Sequence, residues 1–402
     1  MNKIFNVDRV AIIVQRCHES VVGGSESEAF HYANLLKDRF EVHILTTTAV
    51  DPVKWRNTLA ESEELNNGIV IKRFSVTQGR ATYWHKIYER LIKEYSTIAK
   101  EANLDSSKKL IKWPIPLQEE LIYKQGPYST NLMDYLNTHW DDYKAIIFFT
   151  YLYPTTYFGM FNVPKDKVML VPTLHDEPPA YLTVYKYMAR RSKIILWNTK
   201  SERRFGELLW GEVPGCVIGI GINTKEYSPL DCKLPYLLYC GRIDVNKGCN
   251  QLVEYFLKFK EENPGNLRLV FTGTDYIGLP LDDDIEFKGF VSEEEKLRLI
   301  SGALIFVMPS FYESFSIVTL EAMAQRTPVL GNAKCEVVTE HIKESNAGML
   351  YYDYKSFADS IKLVLENKKV VAEMGERGRN YVVSNYNIER IKKLLIEKVE
   401  KF

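Results

Sequence analysis

The sequence predicts an α/β protein made of two doubly wound parallel sheets, and three observations carry that expectation. The chain is 402 residues long, more than one hydrophobic core usually organises, so two domains of roughly 150–200 residues each are expected. Short, nearly continuous apolar runs alternate with longer amphipathic stretches, as in sheets covered by helices on both faces. The alternation runs twice, with a break near VIGIGINTKEYSP at 217–229, which makes two such domains rather than one.

In chain order, the first series of strands is VAIIVQ (10–15), VHILTT (42–47), AIIFFT (145–150), VMLVPT (168–173) and KIILWNT (193–199). Between the second and third lies an insertion, 83–139, that is helix-like and dense in Trp, Tyr and Lys. Two readings of it are open: a helical hairpin packed on its domain, which is favoured, or a binder of a sugar–lipid at a membrane surface. After residue 215 the pattern restarts with CVIGIG, YLLYCG (236–241), LRLVFTG (267–273), ALIFVMPS (303–310) and TPVLGN (327–332). A break near Ser384-Asn385 precedes the amphipathic segment NIERIKKLLIEKVEKF. The expected division is therefore 1–214, 215–384 and a terminal helix, 385–402, packing back on the first domain.

Composition narrows the function. Lys+Arg and Asp+Glu both number 52, and a balanced chain argues against nucleic-acid binding, which calls for a basic excess. The six cysteines, Cys17, Cys216, Cys232, Cys240, Cys249 and Cys335, are scattered without a CxxC pair. That pattern fits a reducing compartment and neither a disulfide framework nor a zinc site. The N-terminal MNKIFNVDRVAIIVQ lacks the apolar core and cleavage site of a secretory leader. No apolar stretch approaches the ~20 residues that span a bilayer. A cytoplasmic protein is expected, with peripheral contact at the inner face of the membrane left open.

Four loops at strand ends carry unusual chemistry. In PSFYESFSIVTLEAMAQRTPVLG (309–331) a strand ends at Pro309, a polar loop follows, and a helix starts near Ser316. The backbone N–H groups of Ser316, Ile317 and Val318 are then first-turn donors suited to a diphosphate. Glu313 and Glu321 flank them, with seven residues between the two; carboxylates so placed suit sugar hydroxyls rather than phosphate. In LYCGRIDVNKG (238–248) Arg242 and Lys247 lie across a turn and can reach one diphosphate. Each such charge-assisted bond contributes about 1.5–3 kcal/mol. Lys247 is read as opening the helix KGCNQLVEYF, where a cation is unfavourable unless an anion offsets the dipole.

Gly23 and Gly24 follow the first strand and let the backbone approach a ligand. A helix is expected to begin near Ser25, with Glu28 as its capping-box partner. Arg16, His18 and Glu19 nearby are candidate contacts to a second substrate. In VPTLHDEPP (171–179) His175, Asp176 and Glu177 cluster at a strand end ahead of two prolines that stiffen the loop. Asp282-Asp283-Asp284 could be taken for a metal motif, but it sits in a polar connector, and the cations above already serve a diphosphate, so no metal is expected.

Glu313-SFSIVTL-Glu321 resembles the E-x7-E hallmark of glycosyltransferase family 4 and its retaining relatives with the GT-B architecture. GRIDVNKG resembles the G-R-x4-K-G loop of that family, and Gly23-Gly24 its glycine-rich loop. The resemblance implies two Rossmann-like domains facing across a cleft, the N-terminal one binding the acceptor and the C-terminal one the nucleotide sugar. It implies that Glu313 contacts the donor sugar, Glu321 the ribose diol, and Ser316, Ile317 and Val318 the diphosphate, clamped by Arg242 and Lys247. Gly23 and Gly24 then face the donor phosphate and the acceptor. His175 falls near the reacting face of the sugar, and Phe290, in FKGFV, beside the nucleobase. Many members have Gly where this chain has Ser316. The implied enzyme is a metal-independent retaining glycosyltransferase in which the acceptor attacks from the face the diphosphate leaves and the leaving phosphate oxygen takes its proton. Its donor is a nucleoside-diphosphate sugar, with no other cofactor. Its acceptor is a glycan, a lipid-linked sugar or a small molecule, by analogy in cell-envelope or polysaccharide biosynthesis. Two rivals stay open: a non-catalytic sugar-nucleotide or glycan-binding protein, against which the diphosphate clamp counts, and a sugar-nucleotide epimerase, which needs a base set against the sugar ring.

Overall fold

The computed structural model of the protein describes residues 7–21, 23–100, 110–230 and 234–402. Residues 1–6 of the leader reading, 101–109 of the insertion, and Cys232 lie outside the described residues. The chain divides into two compact units, one of Met1–Gly219 with Lys392–Phe402, the other of Ile220–Ile391.

Unit 1 is built on eight described strands: β1 (Arg9–Ile13), β2 (Glu41–Thr47), β3 (Ser62–Asn66), β4 (Ile69–Phe74), β5 (Ala145–Phe149), β6 (Val168–Val171), β7 (Ile194–Trp197) and β8 (Gly215–Val217). They lie in the order β3-β4-β2-β1-β5-β6-β7-β8. Every pairing is parallel except β3 with β4. β5 and β6 are buried along their whole length, which is why they read as unbroken apolar runs rather than alternating ones. The antiparallel β3–β4 hairpin turns through Asn67 and Gly68, both at positive φ (49° and 80°), the geometry that favours Asn-Gly in a two-residue loop. The run CVIGIG, expected to restart the pattern in the second series, instead contributes β8 to the first sheet, where Gly215–Val217 pairs with Ile195–Trp197. Three residues are too few for hydrophobic pattern to say which sheet they join.

The helices of this unit are α1 (Gly24–Leu36), α2 (Trp84–Lys100), α3 (Ile115–Gln125), α4 (Thr130–His139), α5 (Pro154–Phe161), α6 (Thr183–Ala189) and α7 (Lys200–Trp210). The insertion supplies α2, α3 and α4. Leu91, Leu121, Ile122, Leu132 and Leu136 from these helices are all at most 2% exposed and share one core with Ile146, Phe148 and Leu170 of the sheet. Burying each contributes about 1.5–3 kcal/mol, so the insertion is part of the core.

Unit 2 carries β9 (Tyr236–Cys240), β10 (Arg268–Thr272), β11 (Ile285–Phe287), β12 (Ile305–Met308), β13 (Val329–Asn332) and β14 (Gly348–Tyr351). The order is β11-β10-β9-β12-β13-β14, parallel throughout. Around it pack α8 (Cys249–Glu262), α9 (Glu293–Gly302), α10 (Ile317–Ala324), α11 (Glu336–Ser345), α12 (Tyr354–Glu366) and α13 (Lys368–Asn385). The last helix, α14 (Ile388–Glu400), starts in unit 2. From Lys392 it belongs to unit 1, where Arg39 meets Glu400 at 3.0 Å. In unit 2 the strand order reverses between β9 and β12, the kind of switch point outside which open α/β sheets bind ligands. Among the described residues no helix is long and apolar enough to cross a membrane.

Candidate functional site

The two loops at that switch point follow β9 and β12, and the backbone locks them together. Gly248 has φ +73°, and a Cβ there would stand 2.3 Å from the Pro309 carbonyl oxygen, so only glycine allows the approach. Asn332 Nδ2 donates to the same carbonyl at 3.1 Å. On the other side, a Cβ on Gly273 would fall 1.9 Å from the Gly241 carbonyl oxygen, so the loops after β9 and β10 also touch through glycine.

Within this frame Lys247 Nζ meets Glu313 Oε1 at 2.7 Å, both side chains being half-buried or deeper. Lys247 does not open α8. It closes a 3-10 turn, Val245–Lys247, and Gly248 in the left-handed region separates it from the helix at Cys249. The sequence misled here because the turn and the helix lie end to end with only the Gly248 kink between them. Asp244 organises the turn by accepting from the Lys247 backbone N–H at 3.1 Å and from Arg242 Nε. Tyr239 Oη donates to the Arg242 carbonyl at 2.8 Å, and the Arg242 side chain is otherwise exposed.

Ser316 caps α10 from the left-handed region, at φ 61° and ψ 61°, a conformation that costs an L-residue roughly 1–2 kcal/mol. Its side chain makes no bond to the helix N–H groups; Oγ instead meets Thr319 Oγ1 at 2.8 Å. The cap therefore leaves the first-turn N–H groups at Ile317 and Val318 to an outside acceptor. The positive φ also gives a physical reason for glycine at this place in the resembling family. Beneath the cap, His341 is fully buried. Its Nε2 lies 3.0 Å from the Phe315 carbonyl oxygen and its Nδ1 3.1 Å from Tyr381 Oη. Burial pushes its pKa down to about 4.

Glu321 of α10 is mostly buried, its side chain 12% exposed, with Lys296 Nζ of α9 at 2.8 Å; Lys296 also meets Glu293 at 2.9 Å. Burial pushes the Glu321 carboxyl above the ordinary range, and Lys296 opposes that push. Lys296 and His341 were both missed by sequence reasoning. Lys296 stands in the charged run SEEEK and His341 inside α11, and neither position carries a local signal of its partner. Phe290 stands 79% exposed after Gly289, whose carbonyl accepts from Gly273 N–H at 2.8 Å.

The remaining expected residues lie in unit 1. α1 begins at Gly24 with Gly23 as an uncapped N-cap. The expected capping box from Ser25 to Glu28 does not form, since Glu28 is buried and accepts from Asn198 Nδ2 at 3.1 Å. The helix starts one residue early, which turns Glu28 into the core. Arg16 is buried too, held by Glu26 at 2.8 Å and by the Val50 carbonyl at 2.7 Å, so its guanidinium is committed. His175 Nε2 stands 3.5 Å from Glu177 Oε1, and Glu177 accepts from Tyr151 Oη at 2.7 Å. His175 Nδ1 has no hydrogen-bond partner among the described residues. Asp176 accepts from Tyr181 Oη at 2.8 Å, a structural bond. Asp284 of the DDD connector pairs with Lys260 at 3.0 Å, and among the described residues no cluster of three or more His, Cys, Asp or Glu could hold a metal.

The loops and helices just described in unit 2, from the Val245–Lys247 turn through α10, fall within one segment that matches a known family. Residues 223–381 match the family of glycosyl transferases group 1. The chain is 27% identical over 274 residues to an uncharacterized glycosyltransferase of Methanocaldococcus jannaschii, covering 66% of this chain and 59% of that one. Its matches span 59%, 45% and 45% of the length of the first three relatives. Among solved structures, sucrose-phosphate synthase from Thermosynechococcus elongatus superposes with a TM-score of 0.69 at 18% identity, covering 98% of both chains. HepE of Anabaena, in complex with UDP-glucose, superposes at 0.68 and 14% identity over 98% of this chain and 100% of that one. The group 1 match and these superpositions show the GT-B fold. The match covers Arg242, Lys247, Phe290, Glu313, Ser316 and Glu321 and leaves Gly23, Gly24 and His175 outside it.

Proposed function

We propose that the chain is a retaining glycosyltransferase that takes a sugar from a nucleoside-diphosphate donor held by unit 2. The observation that carries the proposal is the Lys247–Glu313 pair at 2.7 Å beside the left-handed cap of α10. An ammonium has three N–H donors; Glu313 takes one, and two are left for phosphate oxygens. Arg242 adds a second cation, and the N–H groups of Ser316, Ile317 and Val318 add fixed dipoles. As the sugar–phosphate bond breaks, negative charge grows on the diphosphate, and these groups stabilise it without reorganising, which is usually the largest catalytic contribution. Glu313, anchored by Lys247, orients the donor sugar through its hydroxyls, and Glu321, anchored by Lys296, takes the ribose diol. The acceptor hydroxyl attacks from the face the diphosphate leaves, its proton passing to the leaving phosphate oxygen, so no protein nucleophile is called for. Gly23, Gly24 and His175 serve the acceptor side, and Phe290 the nucleobase. The reaction runs without metal on a cytoplasmic nucleotide sugar, in assembly of a cell-envelope or other polysaccharide glycan. That HepE is described with UDP and UDP-glucose supports a uridine donor as the first to try.

The test is a thermal-shift and titration screen of UDP, GDP, ADP and their sugars, with and without EDTA. One nucleotide should stabilise the wild type regardless of EDTA, and Lys247→Ala should bind it about 1.5–3 kcal/mol more weakly. Glu313→Gln should lower turnover more than affinity for the free nucleotide. If no nucleotide binds at millimolar concentration, the proposal fails.

A further inference from the structure

Unit 1 holds a cavity of about 600 Å³, within the range of small-molecule sites. It is bounded by the turn after β1, the exposed side of the first turns of α1, the strand β3 with the loop before it, and β4. Its charge is unusual. Among the described lining residues, Glu19, Glu26 and Glu64 face one guanidinium, Arg73, with the His18 imidazole beside them. Arg73 is only 6% exposed. Its Nη2 bonds Glu64 at 2.8 Å and the Cys17 carbonyl at 3.2 Å. Arg16, just behind the lining, is spent on Glu26. Two guanidiniums are thus matched to two carboxylates, and Glu19 is left over. One polar group remains unspent: Arg73 Nε is buried with no hydrogen-bond partner among the described residues. A buried N–H of this kind is costly unless something accepts from it. The rest of the lining is mixed, with Phe30 and Ile71 apolar, and Ser27 and Ser62 hydroxylic.

The geometry points to a binding subsite for a neutral, hydroxyl-rich molecule, a sugar carrying no phosphate, which on the proposed function is the glycosyl acceptor. Carboxylates take hydrogen bonds from hydroxyls, the Ser27 and Ser62 hydroxyls exchange hydrogen bonds with them, and the apolar side chains lie against C–H faces. A phosphorylated or otherwise anionic acceptor finds three carboxylates there, against one guanidinium already bonded to Glu64 and the His18 imidazole, and like-charge placement costs several kcal/mol. The inference rests on the transferase reading only for the word acceptor. The charge selectivity stands on the cavity alone.

Saturation-transfer NMR on the full chain tests it, with glucose, mannose and maltose as neutral probes and glucose 6-phosphate as the charged one. The wild type should transfer saturation to at least one neutral sugar and bind glucose 6-phosphate about tenfold more weakly or worse. Ser27→Trp, on an exposed position of α1, should fill the cavity and abolish the signal while circular dichroism and nucleotide binding stay as in the wild type. Glu64→Gln should release Arg73 and raise the affinity for glucose 6-phosphate. The inference is overturned if glucose 6-phosphate binds the wild type as well as glucose does, if Ser27→Trp leaves the neutral signal intact, or if no neutral sugar binds a chain that still binds a nucleotide. Neutral sugar binding that is lost in Ser27→Trp, in a chain that binds no nucleotide, would keep the subsite and remove the transferase.

Discussion

His341 makes unit 2 acid-sensitive, and replacing it by glutamine should remove that sensitivity. The Phe315 carbonyl can only accept, so Nε2 carries the proton, and Nδ1 accepts from Tyr381. The packed surroundings are Phe315, Tyr381 and Tyr386; burial outweighs the bond to Phe315 and the charge of Glu344, both of which raise the pKa. Burial therefore lowers the pKa from 6.5 to about 4. A depressed folded-state value means that the stability is present above the unfolded pKa and is lost as pH falls through the window from 6.5 to about 4, because the unfolded chain takes up the proton first. At about 1.36 kcal/mol per pH unit the full effect is roughly 3 kcal/mol, of which roughly 2 kcal/mol is lost between pH 7.5 and 5.0. His341→Gln keeps both bonds, its amide N–H donating to Phe315 and its amide oxygen accepting from Tyr381, but it cannot titrate. The assay is urea unfolding at the two pH values. All six tryptophans lie between Trp55 and Trp210, in unit 1, so fluorescence follows that unit alone. The part of the circular-dichroism change that fluorescence does not share reports unit 2. The variant should show a pH-dependent loss for unit 2 smaller than the wild type's by roughly 2 kcal/mol. Equal losses in both proteins would refute the buried neutral imidazole.

Three further outcomes are expected. Lys296→Met removes the cation that opposes the raised pKa of Glu321, so the carboxylate form should disappear at higher pH. The acidic limb of nucleotide binding should move upward on a profile from pH 5.5 to 8.5, and an unmoved limb would separate Glu321 from the nucleotide. Ser316→Gly relieves the left-handed backbone and should keep donor affinity with stability changed by less than about 1 kcal/mol. Ser316→Val forces a β-branched residue there and should lower both, as read by titration and melting. Asp283→Ala should leave transfer unchanged with or without EDTA, since the neighbouring Asp284 is already engaged by Lys260; a metal-dependent loss would restore the rejected metal motif.

How much was legible depended on the distance over which each choice is made. Runs such as AIIFF and VMLV had to become central strands, because only burial on both faces of a parallel sheet suits residues that are apolar at every position. The same local logic placed a helix start beside Ser316, after the polar loop that follows the strand end at Pro309. Three-residue Gly215–Val217 carried no such instruction, and the hydrogen bonds offered by β7 decided its sheet. The β3–β4 hairpin was signalled by Asn67-Gly68, but its exposed, polar β3 hid the strand from a search for apolar runs. In the candidate site, the spacing of Arg242, Lys247, Glu313 and Glu321 was visible at once. The partners of these residues were not. Lys247 and Glu313 lie 66 residues apart, and Lys296 reaches Glu321 from a neighbouring helix. Such pairings exist only once strand order has set which loops and helices adjoin. Local pattern alone specified the long apolar strands, most of the helices and the chemical types at the loop ends. Which charges neutralise one another, which carboxyl is buried, and where an N–H is left unspent were decided by the tertiary structure alone, because burial and pairing are properties of neighbours distant in the chain.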